Sequence, residues 1–174
     1  MSDDAFIRAL DIVLKSEGGY SDHKADRGGK TMYGITQSTF NMWLTKHAST
    51  LRPVQSITKS EMQQIYKQEY WTKASCQYMT ENLAICHFDA AVNHGVGRAA
   101  KLLQKAVNVA EDGVIGQKTL DAVQSIPENI VIRAYLDARD DFFHQIVARD
   151  PSQSVFLKGW LNRLENLEKE LGIA

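Results

Sequence analysis

The fold is decided by residues 6–36, which read FIRALDIVLKSEGGYSDHKADRGGKTMYGIT. Phe6, Leu10, Val13 and Glu17 recur at spacings of four, three and four, so a helix places them on one face. The first three side chains are apolar, which predicts that this face is turned toward the core and carries Glu17 with it. The two glycines that follow Glu17 are typical of a helix end, so we expect Glu17 in the last helical turn.

A carboxyl group is disfavoured in its ionised form at this position. Partial burial and the negative end of the helix dipole both favour the protonated acid. An acid that keeps its proton near neutral pH is what acid catalysis of glycosidic cleavage requires, so Glu17 is a candidate proton donor. The alternative interpretation is a carboxylate that reaches solvent at a frayed helix end.

The segment after Glu17 predicts a long glycine-bearing active-site loop or a small β-hairpin. It supplies a second carboxylate, Asp26, and a hydroxyl group, Thr31. Glycosidic cleavage needs a proton donor and a second carboxylate that stabilises the developing cation or activates water. Asp26 suits the second role, and Thr31 suits the positioning of that water. The alternative is structural, because Asp and Thr in loops often bond nearby backbone groups.

The composition describes an ordinary globular protein and excludes several function classes. The chain has 174 residues, 44% of them hydrophobic, which is enough for one domain with a proper core. A net charge of −1 argues against nucleic acid as the main partner. No apolar run is long enough to span a bilayer, so stable membrane insertion is not expected. The two cysteines do not indicate a disulfide framework.

The N-terminal residues Met-Ser-Asp-Asp are acidic where a secretory signal peptide is basic. We therefore expect synthesis in the cytoplasm without a signal peptide. Action on the cell wall, in the periplasm or outside the cell, then requires release by a holin or another leaderless route.

The rest of the chain predicts mostly helices. A capping box at Thr58–Glu61 opens one of them, and a second, residues 83–94, is apolar nearly all round and is expected to be central. Pro127 suits the first turn of a long helix. The last helix carries an apolar stripe, interpreted as core packing, of Leu157, Trp160, Leu161, Leu164, Leu167 and Leu171.

The loop motif resembles the signature of glycoside hydrolase family 108. It consists of Glu-Gly-Gly-Tyr at 17–20 and Asp-x-Gly-Gly-x-Thr-x-x-Gly-Ile-Thr at 26–36. The resemblance continues through residues 88–95, and residues 112–119 are similar to that family's C-terminal peptidoglycan-binding part. Further matching residues are Ile65, Tyr66, Tyr70, Trp71, Leu103, Gln104, Gly159, Trp160 and Arg163.

Members of that family are N-acetylmuramidases of phages and bacteria with a lysozyme-like fold. The resemblance implies a mainly α, lysozyme-like α+β protein with Glu17 as a catalytic residue. It also implies a catalytic part at 1–90 and a helical peptidoglycan-binding-like part at 91–174, packed on it as one compact unit.

Several aromatic residues near the loop are candidates for stacking on sugar rings, whose faces carry C–H groups. These substrate-binding candidates are Tyr20, Tyr33, Tyr70 and Trp71. Asn93, at the end of the central helix, is interpreted either as a partner for an N-acetyl group or as a helix-end cap.

Asp89 lies within an apolar run. It is interpreted as a buried structural acid bonded to the active-site loop, with a catalytic role as the alternative. The histidines and acids do not show the spacing of a metal site, so neither a metal nor another cofactor is expected.

These observations together predict a peptidoglycan hydrolase that cleaves the β-1,4 bond between N-acetylmuramic acid and N-acetylglucosamine, acting as a monomer on glycan strands. Two alternatives stay open. One is a lytic transglycosylase, which cleaves the same bond with a single Glu. The other is a non-catalytic peptidoglycan-binding or secretion accessory protein.

Overall fold

The computed structural model describes residues 3–17 and 29–173. Within these residues the chain forms eight α-helices and one small antiparallel sheet. The strands are β1 (Thr31–Met32) and β2 (Ile35–Thr36). The helices are α1 (Asp3–Ser16), α2 (Gln37–Lys46), α3 (Lys59–Ile65), α4 (Glu81–His94), α5 (Val96–Ala106), α6 (Gln117–Gln124), α7 (Glu128–Arg149) and α8 (Ser154–Leu171). The predicted mainly α, lysozyme-like fold class is confirmed.

Helix α1 buries the face that its spacing predicted. Phe6, Leu10 and Val13 are all buried, and the helix packs against α4. The backbone N–H of Glu17 still donates to the carbonyl oxygen of Val13, at 3.0 Å, so Glu17 closes the last turn.

The strands form a hairpin in which Thr31 pairs with Thr36 and Met32 with Ile35. The two residues between them, Tyr33 and Gly34, both have positive φ, at 53° and 76°. Two consecutive positive φ values are typical of the type I′ turn, whose twist matches that of a hairpin. Thr36 then caps α2 by accepting a hydrogen bond from the N–H of Thr39.

Helix α3 begins at the predicted capping box, in which Thr58 and Glu61 each bond the other's backbone N–H. Helix α3 ends at Ile65. A π-helical segment, Tyr66–Thr72, follows α3 directly. A π-helical turn inserts extra backbone, which rotates the residues after it relative to an α-helix.

Helix α4 is the central helix, as predicted, and it contacts α1, α5 and α7. Nine of its residues are buried, including His87 and Asp89. Helices α7 and α8 pack on each other, and α8 also contacts α1. These contacts bring the end of α1 and the middle of α8 to the same side of α4. No helix within the described ranges is both long and apolar enough to cross a membrane.

Candidate active site

Glu17 lies at the wall of a groove between the two ends of the chain. The groove has a volume of about 620 Å³ and is also lined by Thr31, Asn93, Trp160 and Arg163. The Glu17 side chain is 20% exposed, which agrees with the predicted half-buried position. A cleft of this size is within the range of ligand sites, roughly 300–1,000 Å³.

Arg163 of α8 holds the Glu17 carboxyl group. Its Nη1 atom donates to Glu17 Oε1 at 2.6 Å, and its side chain is only 10% exposed. The guanidinium gives Glu17 a charged partner, which the spacing along α1 does not predict. The sequence analysis noted Arg163 within the family resemblance but did not assign it a role.

Asp89 is a second acidic partner of Arg163. Its Oδ1 accepts from Arg163 Nε at 3.1 Å, and its Oδ2 lies 2.8 Å from Nη2 of Arg139. Asp89 is 1% exposed and Arg139 is fully buried. The predicted structural role of Asp89 is therefore supported, but its partners are two arginines of α7 and α8 rather than the active-site loop. Glu17, Arg163, Asp89 and Arg139 form a continuous row of alternating charges.

The negative charges of the two carboxyl groups and the positive charges of the two arginines in this row stabilise each other. Burial works to raise the pKa of Asp89, but the guanidinium groups of Arg163 and Arg139 outweigh it and hold that pKa below its ordinary value of 3.8. Burial works to lower the pKa of Arg163, and Asp89 followed by Glu17 outweigh it, so that pKa is raised. Both groups are thus charged at neutral pH.

The hairpin forms the other wall around Glu17. A Cβ atom placed on Gly34 would lie 2.6 Å from Glu17 Oε2, so the glycine is required for this close approach. Thr31, on β1, lines the groove as a catalytic candidate should. The backbone carbonyl of Tyr33 accepts a hydrogen bond from the hydroxyl of Tyr66, which fixes the turn to the π-helical segment.

The predicted sugar-stacking residues have different positions from those expected. Trp71 is only 2% exposed and packs edge-on against Phe6 and Phe88, so it has no face for a sugar. It is a core residue, and its assignment as a stacking residue is corrected. Tyr33 and Tyr70 are half-buried and are not among the described residues that line the groove. Tyr20 and Asp26 lie outside the described residues, so their roles stay predictions.

Trp160 lines the groove although the sequence analysis placed it in the core. Its ring is half-buried and stacks on Phe143, with centroids 5.0 Å apart and planes 18° apart. Apolar helix stripes and sugar-binding surfaces both use tryptophan, and spacing alone does not separate them. The exposed polar neighbours Asn162 and Asn166 on the same helix are the signal that marks this end of the stripe as a groove wall.

Asn93 also lines the groove. Its Oδ1 accepts from Arg139 Nη2 at 3.2 Å, which ties it to the buried charges. Its assignment to an N-acetyl group stays a prediction. Among the described residues, no group of three His, Cys, Asp or Glu side chains is arranged to hold a metal ion.

Comparisons with known proteins show what the chain is similar to. The family model of Glycosyl hydrolase 108 matches residues 10–95, and that of a Predicted Peptidoglycan domain matches residues 98–165. The solved structure of Brucella abortus SagA is similar, with 33% sequence identity and a TM-score of 0.84. That match covers 99% of this chain and 97% of SagA. Comparison with curated proteins gives no match.

Proposed function

Because the chain belongs to the glycosyl hydrolase 108 family, we propose that it cleaves the β-1,4 bond between N-acetylmuramic acid and N-acetylglucosamine. The family match supports a glycoside hydrolase, and the second matched region supports peptidoglycan as its substrate. The observation that carries the finer proposal is Glu17, a half-buried acid that faces a glycan-sized groove between Gly34 and Arg163.

In this mechanism Glu17 donates a proton to the glycosidic oxygen. A sugar in the groove replaces water around the carboxyl group, and the loss of water favours its protonated form. Arg163 keeps its buried partner Asp89 while Glu17 is neutral, so the proton transfer does not leave the guanidinium without a counterion. Arg163 is then in place to stabilise the carboxylate that forms when the proton leaves.

Asp26 takes the second role of the reaction, in which a carboxylate steers water or stabilises the oxocarbenium-like transition state. Thr31 holds that water from the hairpin side of the groove. Trp160 stacks on Phe143 and Phe156, and the part of its ring that lines the groove contacts a sugar, in place of the buried Trp71. The protein acts on glycan strands of the cell wall, and release through a holin and a monomeric state remain predictions.

The direct test is Glu17→Gln, which keeps the shape of the side chain and removes its proton. We expect loss of muropeptide release from purified cell walls by about 10²–10⁴-fold, with an unchanged thermal unfolding midpoint. Glu111→Gln, at an exposed position, is the matched control and should keep full activity. Retained lysis by Glu17→Gln would contradict the assignment.

The products of the wild-type enzyme separate the two cleavage chemistries. A hydrolase releases sugars with a free reducing end, whereas a lytic transglycosylase releases anhydro sugars that are lighter by one water. Mass spectrometry of the released muropeptides distinguishes them, and we expect the hydrolysed form.

A further inference from the structure

A second pocket lies between α1 and α8, beside the catalytic groove. It has a volume of about 440 Å³, and we call it the α1–α8 pocket. It shares Lys15, Ser16, Arg163 and Asn166 with the groove, so the two are continuous along these residues. Ser16 directly precedes Glu17 in the chain. The pocket therefore adjoins the part of the groove that holds Glu17.

The pocket is lined by groups that suit a short anionic peptide. Its ionisable lining residues are three basic ones, Lys15, Arg163 and Lys169, and two acidic ones, Asp89 and Glu170. These sum to a net charge of +1. Ile12 and Leu167, which are 7% and 2% exposed, form an apolar floor beneath the charged groups, which suits a small methyl side chain.

The lysines of this pocket are available to a ligand. Lys169 pairs with Glu165 at 2.9 Å and Lys15 pairs with Glu170, and their side chains are 61% and 64% exposed. Exposed pairs of this kind contribute little to stability, about 0–1 kcal/mol, so a carboxylate from a ligand can replace their partners. Asp89, in contrast, is fully engaged by Arg139 and Arg163 and does not repel such a ligand strongly.

We propose that the α1–α8 pocket binds the stem peptide that N-acetylmuramic acid carries in peptidoglycan. This inference rests on the proposed function. The stem is joined to the sugar through a lactyl ether. Its first residue is an alanine, which has a methyl side chain, and its second is a glutamate, which supplies a carboxylate. Leu167 and Ile12 contact the methyl group, and Lys15 and Lys169 bind the carboxylate. The pocket thereby makes the enzyme selective for glycan that still bears stems.

The test compares two substrates made from one wall preparation. One is intact peptidoglycan, and the other is the same glycan after an N-acetylmuramoyl-L-alanine amidase has removed the stems. We expect kcat/KM of the wild type to be about tenfold higher on the stem-bearing substrate, as two replaced exposed charge pairs would give. Lys169→Ala should lower this ratio by about threefold, the effect of one such pair.

Lys73→Ala is the matched control. Like Lys169, Lys73 forms an exposed i,i+4 pair with a glutamate, and its side chain is 57% exposed. It is not among the described residues that line either cavity, so the substrate ratio should equal that of the wild type. A Lys73→Ala ratio that falls as far as the Lys169→Ala ratio would overturn the proposal.

Direct binding gives a measurement that does not depend on turnover. The probe is N-acetylmuramyl-L-alanyl-D-glutamate, titrated into the ¹⁵N-labelled Glu17→Gln variant. We expect chemical-shift changes at the amides of Leu167, Lys169 and Glu170, which line the pocket and not the groove. The absence of such changes at millimolar probe would overturn the inference.

The outcomes also separate this inference from the proposed function. Equal rates of the wild type on both substrates overturn the stem-peptide pocket and leave the muramidase activity standing. Cleavage of neither substrate overturns both proposals.

Discussion

The carboxyl group of Glu17 takes its charged partner from a residue 146 positions further along the chain, Arg163. That arginine is in turn held by Asp89, which also binds the fully buried Arg139. At the scale of single residues, the acid is therefore the exposed end of a buried row of charges. Its geometry depends on residues that do not touch substrate.

Replacing Asp89 with Asn tests this dependence. The change leaves Arg139 and Arg163 without their shared anion, so we expect the free energy of unfolding at pH 7 to fall by about 3–5 kcal/mol. Asp11→Asn, at an exposed position on α1, should change it by less than about 0.5 kcal/mol. Urea unfolding measures both values.

The pH dependence of the same variant has a defined sign. The pKa of Asp89 in the folded protein is below 3.8, so the unfolded chain binds its proton first as the pH falls. The contribution of Asp89 is thus fully present above pH 3.8 and is lost as the pH falls through its folded pKa. The stability difference between wild type and Asp89→Asn should shrink below pH 3.8, and a constant difference would contradict this linkage.

The sequence identified Glu17 because its environment is set by local spacing, which a helix makes predictable. Arg163 was not assigned a role, since its contact with Glu17 depends on how α8 packs across α1. Trp160 was interpreted as core because an apolar stripe does not show where the core ends and a groove begins. The charge partner and the aromatic wall of the site thus required tertiary structure.

At the scale of elements, the hairpin β1–β2 places Gly34 against the carboxyl group of Glu17. Its turn combines positive φ at Tyr33 and Gly34 with direct contact between Gly34 and the carboxyl group. The turn therefore has two requirements at one residue, a backbone conformation and the absence of a side chain.

Gly34→Ala separates these requirements when it is compared with Gly29→Ala. Both glycines have positive φ, 76° and 68°, so each substitution has a similar backbone cost of about 1–2 kcal/mol. A Cβ at Gly34 meets Glu17 Oε2 at 2.6 Å, whereas a Cβ at Gly29 meets no atom of the described residues within 4 Å. We expect about 10²-fold lower kcat for Gly34→Ala alone, because the acid is displaced by about 1 Å. Equal activities of the two variants would show that the contact is not important.

The π-helical segment explains why Trp71 lies in the core. If the α-helix continued beyond Tyr66, Glu69 and Tyr70 would lie on the same buried face as Ile65 and Tyr66. The extra residue in a π-helical turn advances the buried face by one position, so Tyr70 is half-buried and Trp71 enters the core. The capping box and the helix boundaries follow from local hydrogen bonding and were predicted, whereas this register shift has no signal in residue spacing.

At the scale of the whole molecule, the site is shared between the two matched regions, 10–95 and 98–165. Glu17 and Asp89 come from the first region, and Arg139, Trp160 and Arg163 come from the second. The predicted division at residue 91 stays a prediction, but neither region alone contains the complete row of charges.

Two histidines of α4 report on how firmly this helix is packed. Burial is the main cause that lowers the pKa of His87 to about 4 and that of His94 to about 2, from 6.5. As the pH falls below 6.5, the unfolded chain binds protons that the folded protein does not. The free energy of unfolding should therefore decrease in this range, by up to about 1.4 kcal/mol per pH unit for each histidine.

His94→Gln keeps an acceptor for Arg139 and removes one titrating group. Urea unfolding between pH 6.5 and 4.5 measures how the free energy of unfolding changes with pH. In His94→Gln this slope should be lower than in the wild type by the equivalent of about one bound proton. Gln145→Ala, which changes a non-titrating residue at an exposed position of α7, is the control and should leave the slope unchanged. An unaltered slope in His94→Gln would mean that His94 is hydrated in the folded protein.

The position of Arg163 after Glu17 and Asp89 in the chain also has a consequence for biosynthesis. A nascent polypeptide that has left the ribosome only as far as α7 already contains Glu17, Asp89 and the hairpin, but it lacks the guanidinium that orients the acid. Since α8 is translated after these elements, the carboxyl group acquires its guanidinium partner only once α8 has been made. Prematurely terminated chains are for this reason expected to be harmless to the wall.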